Sequence, residues 1–300
     1  MRKSTSLRLV IALLLCFNVA TKRTEAQTTP EITFQVFYDN LSPFGKWLKD
    51  PVQGFVWVPK VDKSFRPYYT NGYWKMTEYG STWVSLYSWG WAPFHYGRWL
   101  YDSLYGWIWI PGTEWGPSWV VWRADGNNYG WTPLTPGYDV HNSFSPNYYV
   151  PNDWWVIVPS KYLLNPRFQQ FAKSDAQTNS LFLKQSSVLN AVYTKDNTNY
   201  ISGPRALEYS KVMNTRTPVY TIKNAAAPGK AIVGADEITL YKPPVTKSVN
   251  GQGYAPKNAV ATEHAIGKAS ALSTAGNGGR NNVAAKKKTR ATAARKKPGK

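Results

Sequence analysis

Tryptophans and glycines punctuate residues 34–134 in a pattern that repeats. Trp47 goes with Trp57, Trp74 with Trp83, Trp99 with Trp109 and Trp122 with Trp131, each pair 9 or 10 residues apart. The first members follow one another at steps of 27, 25 and 23 residues. A period of that size marks a repeated supersecondary unit. A glycine stands two residues before the first Trp in three units, at Gly45, Gly72 and Gly97. A second glycine precedes the second Trp, at Gly54, Gly80, Gly106 and Gly130. Between the two Trp lies a polar, turn-rich segment such as Leu48-Lys49-Asp50-Pro51 or Tyr101-Asp102-Ser103. Short aromatic and β-branched runs bounded by Gly, Pro, Asn and Asp predict strands, and two such runs make a hairpin. Proline lacks a ladder N–H and belongs at strand ends, so Pro59, Pro93, Pro111 and Pro133 are expected to close strands. The pattern predicts four hairpins in an antiparallel meander. The fourth unit departs from it, because no glycine stands two residues before Trp122.

Alternation also predicts faces. In Trp107-Ile108-Trp109-Ile110 both Trp share one face, the inner one. Trp119 and Trp122 cannot share a face by strict alternation, nor can the adjacent Trp154 and Trp155, unless a bulge intervenes. Some of these rings are therefore expected outside. Trp119, Trp122, Trp154 and Trp155 form a candidate aromatic binding face, able to stack on sugars or meet another protein. The plainer reading makes them core.

Residues 147–245 change character and predict a small α+β region. Strands are expected over 148–150, 154–158, 188–193, 219–222 and 238–241. Tyr162, Leu163, Phe168 and Phe171 have helical spacing within 161–172, although Pro166 should interrupt a helix there. Gly203-Pro204-Arg205 opens a second helix reaching about Met213, with the proline where a first turn tolerates it. From Thr246 onward large apolar residues nearly vanish, which predicts a disordered tail over 246–300.

The beginning of the chain resembles a secretory signal peptide. Arg2, Lys3 and Arg8 precede an apolar run over 9–20, and Ala26 offers a small residue at a cut site that leaves Gln27 first. The run is shorter than the roughly 20 residues of a spanning helix. The expected organisation is a signal peptide (1–26), a Trp-rich β repeat domain (27–146), the α+β region (147–245) and the tail (246–300). The expected class is mainly β, and the expected location is the periplasm, outer envelope or extracellular space.

Charge changes this picture only at one end. The formal net charge is +19, and residues 246–300 hold twelve Lys and Arg against a single acid, Glu263. Lys286, Lys287, Lys288 and Arg290, then Arg295, Lys296 and Lys297, are candidate polyanion-binding residues. A nucleic-acid reading rests on that tail alone and conflicts with export. Cys16, the only cysteine, lies in the apolar run, so the mature chain has no disulfide and no cysteine nucleophile. Its core must come from aromatics, each able to bury about 150–250 Å².

Candidate chemistry is sparse. The histidines are His95, His141 and His264, and no metalloprotease, nucleophile-elbow or phosphate-loop motif occurs. His95 reads as a structural ring hydrogen-bonded among aromatics. Glu78, Asp102 and Glu114 fall near repeat turns. Two carboxylates across a groove would suit glycoside hydrolysis, but Asp102 and Asp125 fit turn chemistry directly. No catalytic residue, metal ligand set or cofactor is predicted.

Several stretches carry a resemblance: 37–45 (FYDNLSPFG), Arg66-Pro67-Tyr68, 89–99 (WGWAPFHYGRW), Trp115-Gly116-Pro117, 130–134 (GWTPL) and Ser202-Gly203-Pro204-Arg205. Through them the chain resembles an exported bacterial family of uncharacterised proteins, domain of unknown function 6600, similar in style to Tyr/Trp-Gly repeat proteins. The likeness spans roughly residues 34–244. It implies an exported, repeat-containing β protein and no activity. The expected function is a non-catalytic structural or binding protein of the bacterial cell envelope. It would meet polysaccharide through aromatics and anionic surfaces through its tail. The alternative is an enzyme acting on envelope polysaccharide.

Overall fold

Each tryptophan pair closes one hairpin. The computed structural model describes residues 32–139, 149–189, 191–195, 198–247 and 253–266. After a short strand β1 (Ile32–Thr33) and helix α1 (Gln35–Leu41) come eight strands. They are β2 (Gly45–Asp50), β3 (Gly54–Pro59), β4 (Gly72–Thr77), β5 (Gly80–Ser85), β6 (Tyr96–Asp102), β7 (Gly106–Trp115), β8 (Val120–Ala124) and β9 (Asn128–Pro133). They pair consecutively as four antiparallel hairpins. Trp47 stands opposite Trp57, Trp74 opposite Trp83, Trp99 opposite Trp109 and Trp122 opposite Trp131.

The recurring residues have physical causes. Trp57, Trp83 and Trp109 lie across the neighbouring strand. A Cβ on Gly45, Gly72 or Gly97 would meet the opposing indole at 2.6, 2.4 or 2.9 Å. The missing side chain is therefore what lets the ring lie flat on the sheet. Each turn is pinned by a side-chain acceptor. Asp50 takes the N–H groups of Val52 and Gln53, Asp102 those of Leu104 and Tyr105, Asp125 those of Asn127 and Asn128, and Thr77 that of Tyr79. These are local Asx and ST turns.

The hairpins do not form the expected meander. β3 pairs with β7 through Trp57 and Trp109, passing over β4 and β5. Pro59 ends β3, and the connection beyond it turns away through Pro67 and the left-handed residues Tyr68 and Asn71. The second hairpin stands alone as a two-stranded sheet. Its edges are closed by loops: Trp83 N–H donates to Pro117 O, Ser81 N–H to Ser202 O and Glu78 N–H to Tyr220 O.

The rest of the chain packs onto this frame. β10 (Val156–Pro159) pairs with β9, and β11 (Ser187–Val188) with β8, giving a four-stranded sheet. The helix expected over 161–172 is replaced by 3-10 turns at Ser160–Tyr162 and Phe168–Gln170, with Pro166 between them. The helix instead falls at α2 (Ala176–Gln185), where Asp175 caps the start by accepting the Thr178 N–H. Strands β12 (Val192–Lys195) and β13 (Thr198–Ile201) form a hairpin, followed by α3 (Ala206–Met213) as the Gly-Pro-Arg segment predicts. Then β14 (Thr221–Asn224), β15 (Ile232–Val233) and β16 (Glu237–Leu240) make a small sheet in the order β14-β16-β15. β17 (Val245–Thr246) returns to β1. Phe168, Ile201, Tyr209 and Leu240 join the same core as the hairpin tryptophans. The fold is mainly β, as expected.

The tail boundary expected at Thr246 falls too early. Residues 253–266 run over the first sheet, and β18 (Val260–Ala261) adds parallel to β2, giving the order β18-β2-β3-β7-β6. The open edge of β2 offers ladder groups, and Lys49 O accepts the Thr262 N–H. Asp50 holds the strap end by accepting from the Thr262 hydroxyl and the Ile266 N–H, and Ile266 is buried. The signal-peptide expectation, His141 and the basic cluster 286–297 lie outside the described residues. Among the described residues no helix is long and apolar enough to cross a membrane.

Candidate functional site

The four tryptophans expected to form an aromatic face are in the core. Trp119, Trp122, Trp154 and Trp155 are 2%, 0%, 8% and 4% exposed. The alternation argument fails because three of them are not in strands. Trp119 precedes β8, Trp154 ends a 3-10 turn, and Trp155 follows that turn just before β10. Trp119 donates its indole N–H to His95 O at 3.0 Å, and the Arg98 guanidinium lies 3.7 Å over its ring. Trp122 packs on Trp74 at 4.7 Å and Trp154 on Trp107 at 4.9 Å. The Trp155 carbonyl accepts from the Asn179 amide.

His95, Glu78, Asp50 and Asp102 are engaged in structure. His95 is buried, stacked on Trp115, with Nδ1 2.9 Å from Gly116 O. A carbonyl only accepts, so Nδ1 carries the hydrogen. Burial pushes the pKa of His95 down to about 4, against the opposing pull of the Gly116 carbonyl. Glu78 pairs with Lys195 and accepts the Ile222 N–H. Burial pushes its carboxyl up, but Lys195 and the Ile222 N–H outweigh it and hold it below the usual range. Asp50 is held low in the same way, its burial outweighed by the N–H groups of Ile266, Gln53 and Val52 and the Thr262 hydroxyl. Asp102 meets His264 Nε2 at 2.7 Å through its second oxygen. Glu114 lines a separate cleft with Arg98 and Lys247. Among the described residues no three His, Cys, Asp or Glu come together as a metal site would need.

An aromatic surface does exist, but elsewhere. The buried row Trp57–Trp109–Trp99 crosses β3, β7 and β6. Two residues along, the same face carries the buried Trp107 opposite the exposed Tyr101, where the sheet reaches its end. Tyr101 is 41% exposed and meets Trp107 edge-on at 5.5 Å, with Trp154 supporting it at 6.2 Å. Between this end and the 59–65 connection lies a groove of about 330 Å³ lined by Tyr101, Leu104, Tyr105, Trp107, Asp62 and Lys63. Its wall is fixed from behind. Asp102 holds the turn, the Tyr105 ring stacks on His264, and the Tyr105 hydroxyl accepts the Glu263 N–H. In the sequence Tyr101-Asp102-Ser103 reads only as a turn, and the groove is not apparent. The signal was Leu104, 53% exposed, an apolar side chain at a turn tip that the turn itself does not require.

Neither a curated protein nor a solved structure matches the chain. The stretch that holds all four tryptophan hairpins, residues 38–138, matches the model of a family of unknown function (DUF6600), and that is the family this part of the chain is similar to.

Proposed function

We propose that the protein is a non-catalytic binding protein of the bacterial cell envelope that holds polysaccharide in the groove at the end of the first sheet. The observation that carries this reading is the exposed Tyr101 ring, backed by the buried Trp107, beside Asp62 and Lys63. Flat rings present apolar faces to the C–H faces of sugars, and a few polar groups fix orientation. The turn is braced by Asp102 and the 253–266 strap, so little ordering accompanies binding. The lysine- and arginine-rich residues 286–297 would add sequence-independent attraction to anionic surfaces.

The test is retention of the full chain on isolated envelope glycans, with hydrolysis scored in the same reactions. Tyr101→Ala and Leu104→Ala should each reduce retention at least about fivefold, the scale of losing one sugar-stacking contact, without changing the melting temperature. Release of soluble sugar by the wild-type protein would favour the enzyme alternative. Unchanged retention in both variants would remove the groove from the account.

A further inference from the structure

A second cleft shares no residue with the groove. It lies between β4, the turn at 161–165, the end of α3 and the segment 215–220, and encloses about 330 Å³. Three cations from three separate segments line it: Lys75, Lys161 and Arg216. No carboxylate lines it, and among the described residues none of the three forms an ion pair. The nearby acids are committed, Glu78 to Lys195 and Glu208 to the Arg205 N–H. Like charges gathered without a counterion repel one another, and an anion relieves that repulsion.

The walls are joined by hydrogen bonds. The Tyr209 hydroxyl of α3 donates to Lys161 O and accepts the Leu164 N–H. Ser210 and Thr217 clip the 215–218 segment to the same helix through their hydroxyls at 2.9 Å. Tyr220 N–H donates to Met76 O, closing the seam with β4. Lys75 is positioned too. Its ammonium donates to the Tyr220 hydroxyl at 3.0 Å and sits 4.5 Å from that ring's centre. Met76, Leu164 and Pro218 supply apolar lining. Lys75 is therefore held at a cavity of small-ligand size with an apolar side, and Arg216 and Lys161, whose ammonium lies 5.0 Å over the Tyr162 ring, line the same space.

We infer that this cleft binds a sugar-sized organic anion, its carboxylate or phosphate set against Lys75, Lys161 and Arg216 and its body against the apolar lining. Charge-assisted hydrogen bonds to oxyanions are the strong ones, and a guanidinium matches their geometry. The site does not depend on the aromatic groove, so either can fail while the other stands.

Calorimetric titration of the full chain with glucuronate, glucose 6-phosphate, inorganic phosphate and glucose tests the inference. One saturable site is expected for at least one of the two anionic sugars, with glucose not binding. Lys161→Ala with Arg216→Ala should weaken that site at least about tenfold, as loss of charge-assisted bonds does. Both residues are exposed, so melting should not change. Lys211→Ala removes an exposed cation from α3 outside the cleft and should leave affinity unchanged. Absence of saturable binding by both anionic sugars overturns the inference, as does equal affinity in the double variant. Inorganic phosphate binding as tightly as the sugar anions overturns the sugar-sized body.

Discussion

At the scale of single residues, polar atoms inside this aromatic core set its geometry. Tyr68 has a left-handed backbone (φ 56) that costs a bulky residue energy. It is held there because its hydroxyl donates to Phe94 O and accepts the Trp119 N–H, while its carbonyl accepts the Trp131 indole. Tyr68→Phe keeps the ring and orphans the buried Trp119 N–H. It should cost about 1–3 kcal/mol in urea unfolding, and a change under about 0.5 kcal/mol would show that water replaces the hydroxyl. His95 gives a pH prediction. Folded, its pKa is lowered to about 4 by burial, against 6.5 for the free side chain. Between those values the unfolded chain binds a proton that the folded chain does not. Its contribution is therefore complete above about pH 6.5 and is lost as pH falls toward 4, by about 3 kcal/mol in total. Glu78 and Asp50, held low in the folded state, lose theirs at more acidic pH. His95→Gln should lower stability at pH 7 yet flatten the decline between pH 7 and pH 4. Parallel stability curves for the two proteins would show that His95 takes up its proton as readily folded as unfolded.

At the scale of elements, the hairpins were legible because their cause is local. A ring needs a glycine opposite and a turn needs an acceptor, and both leave residues at fixed spacing. Sheet assembly was not legible, because the pairing of β3 with β7 depends on contacts between units that no spacing records. The predicted aromatic face failed for a related reason. Period-2 alternation was applied to Trp119, Trp154 and Trp155, which lie outside strands. Nor could spacing find the groove or the cationic cleft, whose residues come from distant segments. Two substitutions test the hairpin account. Gly72→Ala would place a methyl 2.4 Å from the Trp83 ring, whereas Gly54→Ala meets open space and carries only the strain of its positive φ. Gly72→Ala should cost roughly 2–4 kcal/mol and Gly54→Ala about 1–2. The reverse order would mean that the ring does not rest on the glycine. Trp109 faces Trp99 on one side and Trp57 on the other and is fully buried. Trp109→Ala should cost about 3–5 kcal/mol in the same unfolding experiment.

At the scale of the molecule, residues beyond β17 divide into a part that belongs to the fold and a part read from charge alone. Residues 253–266 cover the open edge of β2, bury Ile266 and satisfy both Asp50 and Asp102, the two carboxylates that also pin the turns of β2–β3 and β6–β7. This double use ties the strap to the hairpins of the first sheet and, through Tyr105, to the wall of the groove. Residues 267–300 carry ten Lys and Arg and no acid. Two truncations separate these roles. A chain ending at Ile266 should melt like the full protein and lose most of its binding to anionic vesicles at low salt, where charges are screened least. A chain ending at Lys247 should be less stable by at least about 2 kcal/mol, from the exposed Ile266 and the lost hydrogen bonds. Its uncovered β2 edge should make it prone to association, and its glycan retention should fall as the Tyr105 wall loosens. Equal melting of the two truncated chains would show that the strap contributes nothing to the fold. Full vesicle binding by the chain ending at Ile266 would move the anionic contact from residues 267–300 to the folded surface, where Lys75, Lys161 and Arg216 already gather.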